Sequence, residues 1–361
     1  MPHQANPAGV DGFEFIEFSA PDKGLLEDIF AAMGFCRVAQ HRSKDAQLWR
    51  QGGINFIANY EPASNAWRFA REHGAGACGI GLRVANAGTA LAHVAQQGAE
   101  LVPSKPGPME LHIPGIRGIG GSVLYLIDRY AGRSGDSYSI YDIDFVYDHA
   151  ADRQPKGCGL TTIDHVTHNV HRGRLAHWQN FYHDMFGFTE FRSFAISGEY
   201  TGLTSKALIA PDGRTRIPLN EEGDSGGGQI DEFLRAFNGE GIQHIALGCD
   251  DICACWDRLN ALGVPFLAPP PATYYEMLEG RLPGHGEDAD ALRKRGVLLD
   301  GSTSGGEASL LLQIFTEPRI GPLFFEFIER KGDQGFGEGN FRALFESMER
   351  DQIRRGTLTP V

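Results

Sequence analysis

The sequence predicts an α+β protein of two halves, each holding a pair of βαβββ modules whose sheet curls into an open barrel round a cavity. Three internal correspondences carry that prediction, since self-similarity at a fixed step marks a repeated structural unit. Gly79-Ile80-Gly81-Leu82 and His244-Ile245-Ala246-Leu247 stand 165 residues apart, and the glycines that end the helical runs after them, Gly98 and Gly263, stand the same 165 apart. Phe13-Glu14-Phe15-Ile16 matches Ile163-Asp164-His165-Val166, each before an amphipathic helix that runs into Gly-Phe. Leu124-Tyr125-Leu126-Ile127-Asp128-Arg129 matches Phe325-Glu326-Phe327-Ile328-Glu329-Arg330.

The first strand lies at Phe13–Ile16. The helix after it places Leu25, Leu26, Ile29, Phe30 and Met33 on one stripe, the spacing of a buried helix face, and stops at Gly34-Phe35. A strand at Gly79–Leu82 leads to the N-cap Asn86 and a helix closed by Gly98. The polar stretch Asp148–Cys158, with Pro155 and Gly157, marks the boundary between an N-terminal domain, residues 1–150, and a C-terminal domain, residues 158–361. The second half repeats the order: a strand at Ile163–Val170, then a helix striped by Leu175, Trp178, Phe181, Tyr182 and Met185 as far as Gly187-Phe188. Next come a strand from His244, a helix opened by Asp250-Asp251, and a strand at Phe325–Arg330. A last helix has Asn340 as N-cap, an apolar stripe of Phe341, Leu344, Phe345 and Met348, and Gly356 as stop. It covers the mouth of the cavity, and Gly335, Gly337 and Gly339 offer it a hinge for gating with Asn340 and Leu344.

Composition narrows the function. A chain of 361 residues with 42% apolar content suits a globular protein of two domains. A net charge of −13, with no clustered Lys/Arg stripe, argues against nucleic acid as a partner. No apolar run reaches the ~18 residues of a membrane span. The first residues, Met1–Asp11, lack a signal-peptide pattern, so the expected location is the cytoplasm. Six cysteines are too sparse for a disulfide framework. Cys249, Cys253 and Cys255 lack the second pair of a zinc site and read as small buried thiols. The glycine clusters at Gly115–Gly121 and Gly226–Gly228 are turns, without the strand-to-helix context of a nucleotide fingerprint. Gly284–Asp288 reads as a solvated loop, with His285 outside any ligand set.

The repeats also differ where it matters. His165, His244 and Glu326 of the second half stand where the first half has Phe15, Gly79 and Tyr125. Two imidazoles and one carboxylate, with further positions open, form the facial triad of non-haem Fe(II) oxygenases. Glu326 among Phe324, Phe325 and Phe327 needs a partner, because an unpaired charge in an apolar strand is costly. Period-two alternation sends Ile163, His165 and Thr167 to one face, and Asp164, Val166 and His168 to the other, so His168 is not a ligand beside His165.

These residues resemble the bacterial type of 4-hydroxyphenylpyruvate dioxygenase, a family of the vicinal-oxygen-chelate (glyoxalase-like) superfamily. The resemblance lies in Ile163–Val170, Gly241–Ala246, Leu311–Thr316, Gly321–Ile328, Gly335–Phe341 and Thr273–Leu278. It covers the C-terminal half nearly end to end and the N-terminal half only loosely. It implies a metal-free N-terminal domain serving structure and assembly, and a catalytic C-terminal domain with Fe(II) on His165, His244 and Glu326. It further implies Ser205, Asn220, Gln243 and Gln313 as polar pocket contacts, with Pro218, Phe315, Phe324, Phe336 and Phe341 as walls. The implied substrates are 4-hydroxyphenylpyruvate and O2, the product homogentisate, and the assembly a homo-oligomer, often a tetramer. Hydroxymandelate synthase shares the triad and substrate and is the nearest rival, against which Phe341 speaks. A ring-cleaving catechol dioxygenase fits the Gln243 and Gln313 motifs less well. A small-molecule-binding protein of the same fold, without enzymatic activity, would leave the triad idle.

Overall fold

The computed structural model describes residues 5–104, 106–132, 138–197, 202–224, 226–304, 308–337, 339–340, 353 and 356. The N-terminal half holds β1 (Val10–Ser19), β2 (Cys36–His41), β3 (Ala46–Gln51), β4 (Ile54–Asn59), β5 (Gly76–Val84), β6 (Gly115–Arg117), β7 (Val123–Ile127) and β8 (Phe145–Tyr147). The C-terminal half holds β9 (Leu160–Val170), β10 (Thr189–Ser197), β11 (Gly202–Ile209), β12 (Arg216–Glu222), β13 (Gly241–Cys249), β14 (Leu298–Ser302), β15 (Ser309–Phe315) and β16 (Phe324–Lys331). The helices that matter here are α1 (Leu25–Ala32), α2 (Asn65–His73), α3 (Ala87–Gln96), α4 (Ile140–Asp144), α5 (Leu175–Phe186), α6 (Gln229–Phe237) and α7 (Ile252–Ala261).

Each half forms one eight-stranded sheet, ordered β6-β7-β5-β1-β4-β3-β2-β8 and β10-β11-β12-β9-β13-β16-β15-β14. The internal repeat is visible in the pairing. β1 and β5 pair antiparallel at the centre of the first sheet as β9 and β13 do in the second, and each is flanked by a parallel partner, β4 and β7 against β12 and β16. The expected caps are present: Asn86 accepts from Thr89 N–H at the start of α3, and Asp251 from Ala254 N–H at the start of α7. Gly98 and Gly263 both hold positive φ, +86° and +82°, which lets the chain leave each helix at the matching point.

One module departs from βαβββ. Among the described residues, α3 is followed before α4 by two short strands, β6 and β7, with Leu101 making a lone bridge to Ile116. The intervening run carries Pro103, Pro106, Pro108 and Pro114, which cannot donate to a ladder. The eighth place in the sheet is taken instead by β8, which pairs with β2 at the far edge.

The two sheets share one core. Phe18 and Phe56 of the first half meet Phe325 of the second at ring-centroid distances of 6.4 and 6.1 Å. Across the same junction α2 meets α6, with His73 stacked on Phe237 at 4.6 Å. Gln51 is fully buried and ties the halves: its amide donates to Met33 O, and its oxygen accepts from Cys158 N–H and Leu160 N–H. The back face of each sheet is thus committed to packing, leaving the opposite face of each to line a cavity.

All six cysteines are free thiols; Cys249 and Cys255 are buried, Cys253 half-buried and Cys36 exposed. His285 departs from the expected solvated loop: it is buried, and its Nδ1 accepts from Glu287 N–H at 3.0 Å. The helix expected after Asn340, including Phe341 and Leu344, lies outside the described residues.

Candidate metal centre

The three expected ligands converge. In β13, Ala246 stands opposite His165 of β9 on one side and opposite Glu326 of β16 on the other. His244, two residues before Ala246, shares its face by the period-two alternation of a strand. Three neighbouring strands at the centre of the sheet therefore aim one side chain each at a single point. His165 Nε2 lies 3.2 Å from Glu326 Oε2, and His244 Nε2 lies 3.5 Å from it. One ligand atom from each residue falls within 4.8 Å of the others, and all three residues are buried.

Each remaining polar atom of the ligands is held by a neighbour. His165 Nδ1 donates to Asp164 Oδ1 at 2.8 Å. His244 Nδ1 donates to Gln243 Oε1 at 2.9 Å. Gln313 Nε2 donates to Glu326 Oε1 at 2.8 Å. What faces the centre is thus Nε2, Nε2 and Oε2, as a metal requires of imidazoles whose tautomer is set by a hydrogen bond on the other nitrogen. The Thr167 hydroxyl, opposite His244 in the ladder, donates to His244 Nε2 at 2.9 Å and can rotate away.

Asp164 overturns the alternation expected for β9. The register slips there: Ala246 pairs with His165 but Leu247 with Ile163, leaving Asp164 unpaired in a β-bulge. A second slip leaves Gln243 unpaired between Ile242 and His244. A bulge re-aims its side chain, so the residue just before each histidine reaches that histidine's Nδ1. Arg330 clasps Asp164 through both oxygens, at 2.7 and 2.8 Å, and Arg216 approaches it at 3.7 Å. The remaining donors of Arg330 go to the Asp333 and Gly335 carbonyls. The sequence reading missed Asp164, Arg330, Arg216 and Thr167; a charge lodged in an apolar strand was the available signal for Asp164 and Arg330.

The electrostatics match the geometry. Burial opposes charge on Glu326, but the His165 and His244 rings outweigh it and hold the carboxyl at about 2. Burial likewise opposes charge on His165, yet Glu326 and Asp164 raise its pKa. Burial lowers His244, with Glu326 only partly offsetting it. Asp164 is held far below the usual carboxylate range: burial alone would raise it, and Arg330 and His165 overcome that.

Of the expected pocket residues, Phe315, Phe324, Phe336 and Gln313 lie at or next to this centre, and Phe341 lies outside the described residues. Phe324 stacks on His244 at 4.8 Å, Phe336 meets His165 edge-on at 5.1 Å, and Phe315 packs against Phe324. Ser205 stands opposite Asn220, and Asn220 opposite Asn169, which shares its face with Thr167 and His165. These three are buried, and Ser205 Oγ, Asn220 Oδ1 and Asn169 Nδ2 have no hydrogen-bond partner. Pro218 is buried two pairs along, opposite Ala207. Gln313 is bonded to Glu326, to the Phe336 carbonyl and to the Asn340 amide, so its amide is already engaged within the protein. Asn340 is buried and also accepts from the Tyr274 hydroxyl at 2.7 Å. A Cβ at Gly337 would collide with the Gln313 amide, so glycine is required there by space. His168 points to the other face, as expected, where its Nε2 lies 2.6 Å from the Tyr182 hydroxyl.

Comparison with known proteins agrees with this geometry. The model of the hydroxyphenylpyruvate dioxygenase N-terminal domain matches residues 4–146, and that of the glyoxalase/bleomycin resistance protein/dioxygenase superfamily matches residues 162–291. The N-terminal half thus carries the resemblance fully, where the motifs alone suggested a loose one. The chain is 59% identical to the 4-hydroxyphenylpyruvate dioxygenase of Pseudomonas sp. (strain P.J. 874) over 98% of both chains. It is 51% identical to that of Pseudomonas aeruginosa over 98% of both. Its fold is similar to a triple mutant of the 4-hydroxymandelate synthase of Streptomyces coelicolor, with a TM-score of 0.81 at 24% identity, covering 96% of this chain and 100% of that one. With two histidines and a glutamate gathered at one buried point and these relatives matched end to end, the chain belongs to the 4-hydroxyphenylpyruvate dioxygenase family.

Proposed function

We propose that the protein converts 4-hydroxyphenylpyruvate and O2 to homogentisate and CO2, a step of tyrosine and phenylalanine catabolism, with Fe(II) held by His165, His244 and Glu326. The observation that carries this reading is the donor set: two Nε2 atoms and one Oε2 within 4.8 Å, each fixed from behind by Asp164, Gln243 or Gln313. Two neutral imidazoles and one carboxylate suit Fe(II) and leave further coordination positions open. Bound iron supplies the Lewis acidity and the redox chemistry that O2 and an α-keto acid require.

The chain's own residues do the rest. Phe324 and Phe336 flank the histidines and keep water from the centre. Ser205, Asn220 and Asn169 present unsatisfied polar atoms on the same face, so a polar group of the substrate gains hydrogen bonds there that the free protein lacks. Gln313 ties Glu326 to the Phe336 carbonyl and the Asn340 amide, which fixes the carboxylate's orientation. The same reading makes the N-terminal half a metal-free unit that serves assembly, with a cytoplasmic homotetramer as the working form. Exposed Leu101, Met109, Tyr138 and Val146 in that half support it, and sedimentation velocity tests it. No helix among the described residues is long and apolar enough to cross a membrane.

The deciding experiment is anaerobic loading with Fe(II), followed by oxygen uptake on 4-hydroxyphenylpyruvate and chromatography of the product. Homogentisate is expected. Hydroxymandelate would overturn ring hydroxylation, and no oxygen uptake would return the chain to a binding role.

A further inference from the structure

The N-terminal sheet has a cavity of its own, of about 740 Å³, on the face equivalent to the one that bears the metal centre. The pairing fixes the equivalence. Phe15 stands opposite Gly81, and Gly81 opposite Tyr125, as His165 stands opposite Ala246 and Ala246 opposite Glu326. Glu17 stands opposite Gly79, as Thr167 stands opposite His244. The triad is gone, but the space is not filled: the volume is that of a typical small-molecule pocket.

What replaces the triad is a built polar floor. Glu17 is buried, with Oε1 accepting from Asn59 Nδ2 at 2.7 Å and Oε2 from the Tyr125 hydroxyl at 2.9 Å. A Cβ at Gly79 would lie 2.7 Å from Glu17 Oε2 and 2.8 Å from the Tyr125 ring, so the floor exists only because glycine stands there. Both partners of Glu17 are neutral, and burial raises its pKa. A carboxyl group has about four acceptor sites, so it keeps room for a donor in the cavity. The rest of the lining is largely apolar: Phe15 and Ile57 flank Glu17 on the same sheet face, Ile57 directly opposite it in the ladder, and Ile113 and Phe145 join them. Arg68 and Arg117 also join the lining, and Arg117 is already paired with Glu100 at 3.6 Å. Arg68 is bonded to the Ala63 carbonyl and the Asn65 side-chain oxygen, both uncharged, so its charge is available to an anion.

We infer that this cavity is a second ligand site, which takes a small phenolic carboxylic acid. The phenol hydroxyl donates to Glu17 on the floor, the ring lies along Phe15 and Ile57, and the carboxylate meets Arg68. The site needs no metal.

The test is fluorine NMR of the full-length protein with 3-fluoro-4-hydroxyphenylacetate up to millimolar concentration, with and without Fe(II). Two bound resonances are expected, one of them indifferent to iron. Ile57→Trp, which fills the wall, should abolish the iron-indifferent resonance and retain the other, and that retained signal shows the variant is folded. Glu17→Gln should weaken the same site about tenfold, the loss of one hydrogen bond to a carboxyl oxygen. Turnover of 4-hydroxyphenylpyruvate should be unchanged in both. A single bound resonance, or two that both survive Ile57→Trp, would overturn the site. Equal occupancy by the analogue without the phenol hydroxyl would overturn the role of Glu17. Failure of iron-dependent turnover alters neither result, so the two readings are judged separately.

Discussion

Asp164 Oδ1 and His165 Nδ1 are adjacent in sequence and 2.8 Å apart, a contact that an unbroken strand would forbid. The bulge that makes it possible also brings Asp164 within the bidentate grasp of Arg330. A carboxylate behind a ligating histidine fixes the ring and strengthens the donor. Asp164→Asn keeps the shape and loses the charge. It should weaken Fe(II) binding by about 10- to 100-fold, read by competition with a chelator. Asp164→Ala should further cost about 3–5 kcal/mol of stability, because Arg330 is left with an uncompensated, largely buried charge. Unchanged metal affinity in the asparagine variant would remove Asp164 from the site.

Glu326→Ala removes the one anionic ligand. The variant should retain no iron through gel filtration and show no oxygen uptake. Because Glu326 and Asp164 raise the pKa of His165 and a metal requires its neutral ring, loading the native protein in weak buffer should release protons, and the variant should not. Iron-replete activity in this variant would refute the ligand assignment.

His168 adds an acid sensitivity of its own to the fold. Burial holds its ring at about 3, with Nε2 on Tyr182 and Nδ1 without a partner. The unfolded chain takes up that proton near pH 6.5, so stability is full above that pH and falls as pH drops toward about 3. The loss is on the order of 5 kcal/mol over the window. Urea titrations of the metal-free protein should show it, and His168→Gln should flatten that part of the profile.

Ser205 separates binding from packing. Its hydroxyl is buried without a partner, so Ser205→Ala breaks no hydrogen bond and should change stability by less than about 0.5 kcal/mol. If the hydroxyl serves the substrate, kcat/KM should fall about tenfold. A fall in melting temperature with unchanged kinetics would make Ser205 structural.

Much of this was readable in the chain. The gapless repeat at Gly79 and His244 and the helical stripes after each first strand announced the modules, because strand and helix periods are local properties. The three ligands were readable as differences between copies, Phe15, Gly79 and Tyr125 against His165, His244 and Glu326. What periodicity could not show is where it breaks: the slips at Asp164 and Gln243 depend on pairing with a strand some eighty residues away.

The sequence by itself determined which side chains could bind a metal and on which strands they lie, since residue type and alternation are written along the chain. Only the tertiary structure decided that Ala246 sets His165 and Glu326 on either side of one point, that Arg330 reaches Asp164, and that Glu17 floors a cavity in the sister half. Those contacts join strands distant in the chain, and the register that fixes them is a property of the whole sheet.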